Sequence, residues 1–181
     1  MGGYFVTVVS QGREPLFGEI LDEHMNLNQY GEIVQNAWFD LPNHYPFVVL
    51  DAFIIMPNHI HGIILLTDPG TVGSNETRPY GRGGSKARFI RQTRPSVTGQ
   101  SDARPSSYGL PEIIRAFKSF SARRINTIRN TPGSSVWQRN YYEHILRNET
   151  EWGRIRQYIA QNPQNWNEDQ ENPQWHGVAD H

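Results

Sequence analysis

The spacing of apolar residues divides the chain into strand-like and helix-like segments. Residues 4–10 (YFVTVVS) and residues 47–56 (FVVLDAFIIM) are rich in β-branched and aromatic side chains, and so are residues 60–66, which His59 precedes. Runs of this kind predict β-strands. The sequence PNH is the whole connection between the second and third runs. It is too short for anything but a tight turn, so these two runs are expected to form an antiparallel pair at the centre of a sheet.

Three other segments repeat their apolar residues with the period of an α-helix. The first covers residues 28–41, with Asn28 as its N-cap and Pro42 as its stop. The second covers residues 110–128 and is basic on the faces that are not apolar. The third begins near Asn148 and ends at Pro163. Its apolar stripe has three members: Trp152, Ile155 and Ile159.

The remaining segments complete a single α+β domain over residues 1–181. Residues 16–28 are expected to form a short hairpin that turns near residues 22–24, and residues 136–146 a further strand. Residues 68–109 are rich in Gly, Pro, Ser, Thr and Arg, and this composition indicates a basic flexible insertion. Residues 164–181 are expected to form a polar tail, with Trp166 and Trp175 as candidate anchors. This order predicts a ferredoxin-like or RRM-like antiparallel sheet with helices packed mainly on one face.

Composition excludes several classes of protein. The 181 residues contain no cysteine, so disulfide scaffolds and cysteine zinc sites are ruled out. No segment approaches the roughly 18 consecutive apolar residues of a membrane span, and the N-terminus has no signal-like pattern. We therefore expect a soluble, cytoplasmic protein without a membrane partner.

Charge is unevenly distributed along the chain. The net charge is −1, yet residues 76–129 contain twelve of the seventeen Lys and Arg residues and three acidic residues, a local net charge of +9. Such a concentration of positive charge is typical of proteins that bind a polyanion. A solvated basic loop with no partner is the alternative explanation.

The segment MPNHIHGIILL places His59 and His61 in an apolar run. Residues i and i+2 of a strand face the same side, so the two imidazoles are expected to lie side by side, as half of a metal site. The alternative is a pair of structural histidines that form hydrogen bonds within the protein and bind no metal. Ile63 stands where a His-x-His-x-His hydrolase needs a third histidine, and no carboxylate follows as in a cupin site.

The last predicted helix supplies two further candidates. In IRQYIAQNP, Tyr158 and Asn162 are four residues apart and therefore lie on one helical face. Tyr158 is either a covalent nucleophile or a surface tyrosine that packs beside Ile155. Asn162 is either a metal ligand or an ordinary residue before proline. Two histidines and an amide oxygen would suit Mg²⁺ or Mn²⁺ acting on a phosphodiester.

Four segments together make the chain resemble the REP-associated tyrosine transposases, a branch of the single-tyrosine HUH endonucleases (His-hydrophobic-His). They are YFVTVVSQGREPLFGEI, MPNHIHGII, WQRNYYEHILRNETE and RIRQYIAQNPQNW. The resemblance implies that His59, His61 and Asn162 hold the metal and that Tyr158 is the nucleophile. Tyr141 and Tyr142 compete for the latter role, but they lack an asparagine one turn later.

The resemblance also implies a reaction and a substrate. Tyr158 would attack a phosphorus of single-stranded DNA that folds into a hairpin, leaving a 5′-phosphotyrosine link and a free 3′-OH. Because the link conserves the bond energy, a second 3′-OH could reverse the attack and rejoin the strand. The protein would act as a monomer or a homodimer, without a nucleotide cofactor.

Candidate DNA-binding residues come from two segments. Phosphate contacts are expected from the basic helix. The mixture of aromatic and arginine residues in WQRNYYEHILRN suits the stacking of unpaired bases. Ordinary core packing is the alternative for the aromatic residues. The candidates are Arg115, Lys118, Arg123, Arg124, Trp137, Arg139, Tyr141, Tyr142 and Arg147.

Three functions are compatible with these patterns. The first is a transposase that nicks and rejoins DNA. The second is a domesticated DNA-binding protein that keeps the fold but does not transpose. The third is an unrelated metal-dependent phosphoesterase that uses water, in which Tyr158 is structural. A covalent protein–DNA adduct separates the first function from the other two.

Overall fold

The computed structural model describes residues 2–67 and 109–174. This part of the chain contains six strands and four α-helices, with short 3₁₀ turns at Gln11–Arg13 and Trp166–Glu168. The strands are β1 (Gly2–Val9), β2 (Gly18–Leu21), β3 (His24–Leu27), β4 (Val48–Ile55), β5 (His59–Leu66) and β6 (Tyr142–Leu146). The helices are α1 (Gln29–Phe39), α2 (Leu41–His44), α3 (Leu110–Arg129) and α4 (Glu149–Gln161). Their order along the chain is β1-β2-β3-α1-α2-β4-β5-α3-β6-α4.

Four strands form one antiparallel sheet in the order β4-β5-β1-β6. This confirms the predicted α+β class and the position of the histidine pair on a central strand, β5. The tight β4–β5 pair is present as well. However, β4 lies at the edge of the sheet, because the first strand, β1, takes the central place on the other side of β5. Strands β2 and β3 form a separate hairpin, as predicted.

The predicted strand over residues 136–146 begins only at Tyr142. The preceding backbone is held differently. The Lys118 ammonium donates to the carbonyl oxygens of Gln138, Arg139 and Asn140 at 3.0, 3.2 and 3.0 Å. Trp137 pairs with Ser10 in an isolated bridge. Backbone groups that are satisfied in this way do not join a longer ladder.

Helices cover both faces of the sheet. Val6, Ile60 and Ile64 point to one face and pack in a core with residues of α1 and α3, among them Trp38 and Phe117. On the other face of the sheet, a second core contains four buried residues: Phe5, Ile63, Leu146 and Ile159, the last of which is on α4. Strands β1 and β5 are apolar on both sides, so both sides must be covered. Two of the three long helices thus share a face, and α4 takes the opposite one.

Two glycines allow helix side chains to approach the sheet closely. A Cβ atom at Gly62 of β5 would lie 2.3 Å from the ring of Trp38, which is fully buried. On the opposite face, a Cβ atom at Gly3 of β1 would lie 2.2 Å from the ring of Trp152 on α4. Neither distance is compatible with a real side chain. These two positions therefore set how near α1 and α4 lie to the strands.

The predicted helix starts are confirmed. The Asn28 side chain accepts hydrogen bonds from the amides of Tyr30 and Gly31 at the start of α1, and the Asn148 side chain accepts from that of Glu151 at the start of α4. Pro42 does not simply stop α1, because it lies in the first turn of the short helix α2. Proline suits that position, where its missing N–H is not needed.

Two predicted segments lie largely outside the described residues. They are the basic insertion, of which residues 68–108 are not described, and the end of the tail from residue 175 onward, which includes Trp175. In the part of the chain that is described, no helix has the length and apolar character required to cross a membrane.

Gly62→Ala is expected to destabilise the fold by about 1–3 kcal/mol, the usual effect of overpacking a dense core. The new methyl group would overlap the ring of Trp38, which is fully buried. Gly153→Ala is the matched control, because nothing lies within 4 Å of a Cβ atom there. That helical position is expected to gain about 0.5–1 kcal/mol. Urea unfolding measures both, and equal stability of the two variants would contradict the proposed close packing.

Candidate active site

His59 and His61 project from β5 toward the face that α4 covers. Their Nε2 atoms are 3.0 Å apart. Both side chains are buried, with 0% and 3% of their surface exposed. The prediction from strand periodicity, that the two imidazoles converge, is therefore confirmed.

The other nitrogen of each imidazole has its own partner. Nδ1 of His59 lies 2.8 Å from Oδ1 of Asn58, and Nδ1 of His61 lies 2.8 Å from the hydroxyl oxygen of Thr7. Thr7 is brought there by the register of the sheet, in which it stands opposite His61. Partners at Nδ1 orient a histidine so that Nε2 is presented to a metal.

Burial keeps both imidazoles uncharged at neutral pH. It lowers the pKa of His59 to about 3. Burial, together with the neighbouring His59, lowers the pKa of His61 well below its ordinary value. Neutral imidazole is the form that binds a metal.

Helix α4 brings Tyr158 and Asn162 to the same place. The Tyr158 hydroxyl lies 3.3 Å from Nε2 of His61, while 44% of the side chain is exposed. Asn162 is buried, and its Oδ1 atom has no hydrogen-bond partner among the described residues. A buried acceptor without a partner is unfavourable, and a bound cation is one way to satisfy it.

The surroundings of Tyr158 favour its neutral form. Burial, followed by the negative charge of Asp169, raises the pKa of the phenol, while a hydrogen bond from the Asn162 side chain opposes this shift. Without a positive charge nearby, the phenol is therefore a poor nucleophile at neutral pH.

Asp169 is a candidate ligand that the sequence did not reveal. Its Oδ2 atom lies 3.7 Å from Nε2 of His59, and one ligand atom from each of His59, His61 and Asp169 lies within 4.8 Å of the others. Burial raises the pKa of this carboxyl. The polar tail around it shows no periodicity, and no sequence signal distinguishes Asp169 from the nearby Glu168 and Glu171.

Hydrogen bonds fold the tail segment 166–172 over the histidines. The Glu171 amide donates to Oδ1 of Asp169 at 2.7 Å, and Asn172 donates to the Trp166 carbonyl at 2.9 Å. The Asn58 side chain donates to the Glu171 carbonyl at 2.6 Å. The ring of Trp166 lies beside that of His59, with 6.1 Å between centroids, which is the position that an anchor would take.

The donor atoms suit a divalent metal. Two ligands at right angles around an ion, with bonds of about 2.1 Å, lie roughly 3.0 Å apart, and the two Nε2 atoms have this separation. Imidazole nitrogen with carboxylate and amide oxygen is a mixed set that divalent ions such as Mn²⁺ accept. Residues His59, His61, Asn162 and Asp169 thus fit such an ion.

A cavity of about 750 Å³ opens onto this cluster. Its wall includes His61, Tyr158 and Asn162 together with Tyr142, 58% of whose surface is exposed. A smaller recess of about 340 Å³ beside it is lined by Tyr158 and by Arg154, one turn earlier on α4. The site is therefore open to a ligand larger than an ion.

The structure does not gather the predicted DNA-binding residues at this cavity. Helix α3 packs on the other face of the sheet. There Arg123 and Arg124 are exposed, and Arg115 pairs with Glu112. Lys118 is half-buried and donates to three backbone carbonyls.

The candidate DNA-binding residues of the second segment, WQRNYYEHILRN, also lie in different environments. Trp137 is 6% exposed, packs in the core and donates to the Ser121 hydroxyl, so it has no free face for a base. Tyr141 lies against Lys118 and donates to Glu143. Arg139 and Arg147 are exposed. Of the aromatic residues in this segment, Tyr142 is the one that reaches the cavity.

The chain is similar to a curated protein and to a solved structure. An uncharacterized protein of Haemophilus influenzae is 35% identical over 169 residues, which cover 93% of this chain and 84% of that protein. A REP-associated tyrosine transposase, solved bound to a REP hairpin, matches with a TM-score of 0.53 and 18% identity, over 91% of this chain and 68% of that one. No family model matches the sequence. The structural match confirms the predicted resemblance at the level of the fold.

The stability of the metal-free protein is expected to fall steeply below about pH 6. Burial lowers the pKa of both histidines in the folded state, whereas in the unfolded chain they titrate near pH 6.5. As pH falls below that value, the unfolded chain binds more protons than the folded chain. The free energy of unfolding then decreases by about 1.4 kcal/mol per pH unit for each histidine.

Urea unfolding between about pH 5 and pH 7 measures this slope. His61→Gln is expected to remove about half of it, whereas His24→Gln, at an exposed histidine outside the site, is expected to leave it unchanged. A stability that stays flat over this range would mean that the histidines are not held neutral.

Proposed function

We propose that this chain, which belongs to the same family as the Haemophilus influenzae protein and shares the fold of the REP-associated tyrosine transposase, is a metal-dependent DNA transposase. It would nick and rejoin single-stranded, hairpin-forming DNA through a 5′-phosphotyrosine intermediate. The observation that carries this proposal is the contact between the Tyr158 hydroxyl and a buried, neutral histidine pair.

The residues that would hold the metal are His59, His61, Asn162 and Asp169. The unpartnered Oδ1 atom of Asn162 and the short separation of the two Nε2 atoms support this set. We propose Mg²⁺ or Mn²⁺, since both accept oxygen donors and act on phosphate esters. When bound, the ion would polarise the scissile phosphate and stabilise negative charge that develops on it.

Tyr158 would supply the nucleophile. Its Oη atom forms a bond to phosphorus, the bond from phosphorus to the 3′ oxygen breaks, the phenol proton is lost, and the departing 3′ oxygen gains a proton. Asn162 favours the ionised phenol through its hydrogen bond, against the effects of burial and of Asp169. The 3′-OH of a second strand can reverse the same bond changes and release Tyr158.

A single chain contains all of these groups. The Tyr158 hydroxyl lies 3.3 Å from His61 of its own chain, so we propose that the tyrosine acts in cis and that a monomer is sufficient for cleavage. A homodimer that leaves this contact intact would work in the same way.

The DNA would enter the cavity beside Tyr158. Tyr142 at its wall offers an exposed ring on which an unpaired base can stack. Arg154, on the same face of α4 as Tyr158, is placed to contact a phosphate. The exposed Arg123 and Arg124 of α3 lie across the sheet, where they would meet only a longer or folded substrate. A hairpin would be such a substrate.

Tyr158→Phe is expected to abolish DNA cleavage and the covalent adduct, because phenylalanine has no oxygen to attack phosphorus. Folding should change little, because the side chain is 44% exposed. The contacts of the lost hydroxyl, with His61 at 3.3 Å and with the Asn162 side chain, are each worth about 1 kcal/mol or less. The assay is incubation with single-stranded hairpin DNA and Mn²⁺, followed by denaturing gels and mass spectrometry of the DNA-linked peptide.

Tyr142→Phe and Tyr141→Phe are the controls, and both should still form the adduct. A phosphotyrosine at either of these residues, or an adduct that survives in Tyr158→Phe, would overturn the assignment. Cleavage without an adduct in any variant would instead favour attack by water, as in a phosphoesterase. Binding without cleavage in the unmutated protein would favour a domesticated DNA-binding protein.

Asp169→Asn is expected to weaken Mn²⁺ binding by at least the roughly 10–100-fold that loss of a supporting group typically causes, because it removes the anionic donor nearest His59. Glu168→Gln removes the same charge from the same cavity wall without touching the histidines, and should change the affinity much less. Calorimetric titration with Mn²⁺ compares the two. Equal affinities of the two variants for Mn²⁺ would show that Asp169 does not coordinate the ion directly and contributes only a negative charge, as Glu168 does.

A further inference from the structure

We propose that Asn58 is a positioning residue that fixes the proton of His59 on Nδ1 and so leaves Nε2 free as a metal-binding lone pair. The inference deepens the proposed function, since it rests on a metal at the histidine pair. The inference rests on the hydrogen bonds of the Asn58 side chain, whose directions follow from which of the partner atoms can only accept.

The orientation of the Asn58 amide follows from its partners. The side chain is fully buried. Its Nδ2 atom lies 3.0 Å from the carbonyl oxygen of Arg13 and 2.6 Å from that of Glu171. Carbonyl oxygens only accept hydrogen bonds, so the two N–H groups of the amide must point at them. The Oδ1 atom of Asn58 must therefore face His59.

The position of the His59 proton follows in turn. Oδ1 of Asn58 can only accept, and it lies 2.8 Å from Nδ1 of His59. Nδ1 must therefore carry the hydrogen, and in a neutral imidazole Nε2 is then a lone pair. That lone pair is the atom that lies 3.0 Å from His61 and 3.7 Å from Asp169. His59 is thus held in the ligand form before any metal arrives.

His61 is held differently, because its partner is a hydroxyl. The Thr7 hydroxyl can donate or accept, so the 2.8 Å contact with Nδ1 permits either tautomer. In the metal-free protein Nε2 of His59 is an acceptor, so Nε2 of His61 carries the hydrogen in their 3.0 Å contact. Nδ1 of His61 then accepts from Thr7.

Metal binding makes different demands on the two residues. His59 presents its lone pair without rearrangement. His61 must carry its proton on Nδ1 instead of Nε2, with the Thr7 hydroxyl turned to accept it. Asn58 thus sets one ligand in advance, whereas Thr7 allows the other to change.

The test is nitrogen NMR of the metal-free protein with ¹⁵N-labelled histidine, which distinguishes Nδ1–H from Nε2–H imidazole directly. We expect Nδ1–H for His59 and Nε2–H for His61. In Asn58→Ala, His59 should lose its pure Nδ1–H form, and the affinity for Mn²⁺ should fall by roughly 10–100-fold. Folding is checked by circular dichroism.

Asn172→Ala is the matched control. Asn172 is also buried and holds the same tail segment, through bonds to Trp166 and Gln174, but it contacts neither histidine. His59 should remain Nδ1–H in this variant. An equal change of tautomer in both variants would mean that the tail segment, and not Asn58, controls the proton.

An Nε2–H signal for His59 in the unmutated protein overturns the inference even if Asn58→Ala does not fold. An unchanged tautomer in folded Asn58→Ala overturns it as well. Failure of the unmutated protein to bind Mn²⁺, with His59 still Nδ1–H and sensitive to Asn58→Ala, would refute the proposed metal site and leave the role of Asn58 at His59 intact.

Discussion

The packing of α4 on the sheet face that carries the histidines is the constraint on which the candidate site depends. Ile159 is buried in the second core, and Trp152 lies over Gly3, where a side chain in place of the glycine would prevent this approach. Arg156 adds an ion pair to Asp51 on the edge strand β4. With the helix held in this way, the Tyr158 hydroxyl lies 3.3 Å from Nε2 of His61.

The same packing buries the two histidines, and this burial has an electrostatic consequence. Burial favours neutral forms of every titratable group in the cluster, so the histidines are uncharged and the pKa values of Tyr158 and Asp169 are raised. A cation would reverse these preferences for the phenol and the carboxyl, and would give the unpartnered oxygen of Asn162 a ligand role. The metal-free site is therefore arranged at a cost in stability that a bound ion would offset.

Local periodicity was sufficient to predict part of this arrangement. The two-residue period of a β-strand predicted that His59 and His61 lie side by side. The 3.6-residue period of an α-helix predicted that Tyr158 and Asn162 share one face. It could not predict Asp169, because that residue is placed by hydrogen bonds from a tail without periodicity. Nor could it separate an exposed base-stacking aromatic residue from a core residue. Both explanations were therefore open for Trp137, which lies in the core. The site roles assigned to these residues remain predictions.

Crystallography with Mn²⁺ tests the central claim most directly, namely that α4 and β5 together form a metal site at the tyrosine. Crystals of the unmutated protein soaked in Mn²⁺ would be measured for anomalous scattering. The account predicts one strong peak between the Nε2 atoms of His59 and His61, with an oxygen of Asn162 or Asp169 among its ligands and the Tyr158 hydroxyl facing it. An empty histidine pair, with the imidazoles still 3.0 Å apart and Mn²⁺ bound elsewhere, would contradict it.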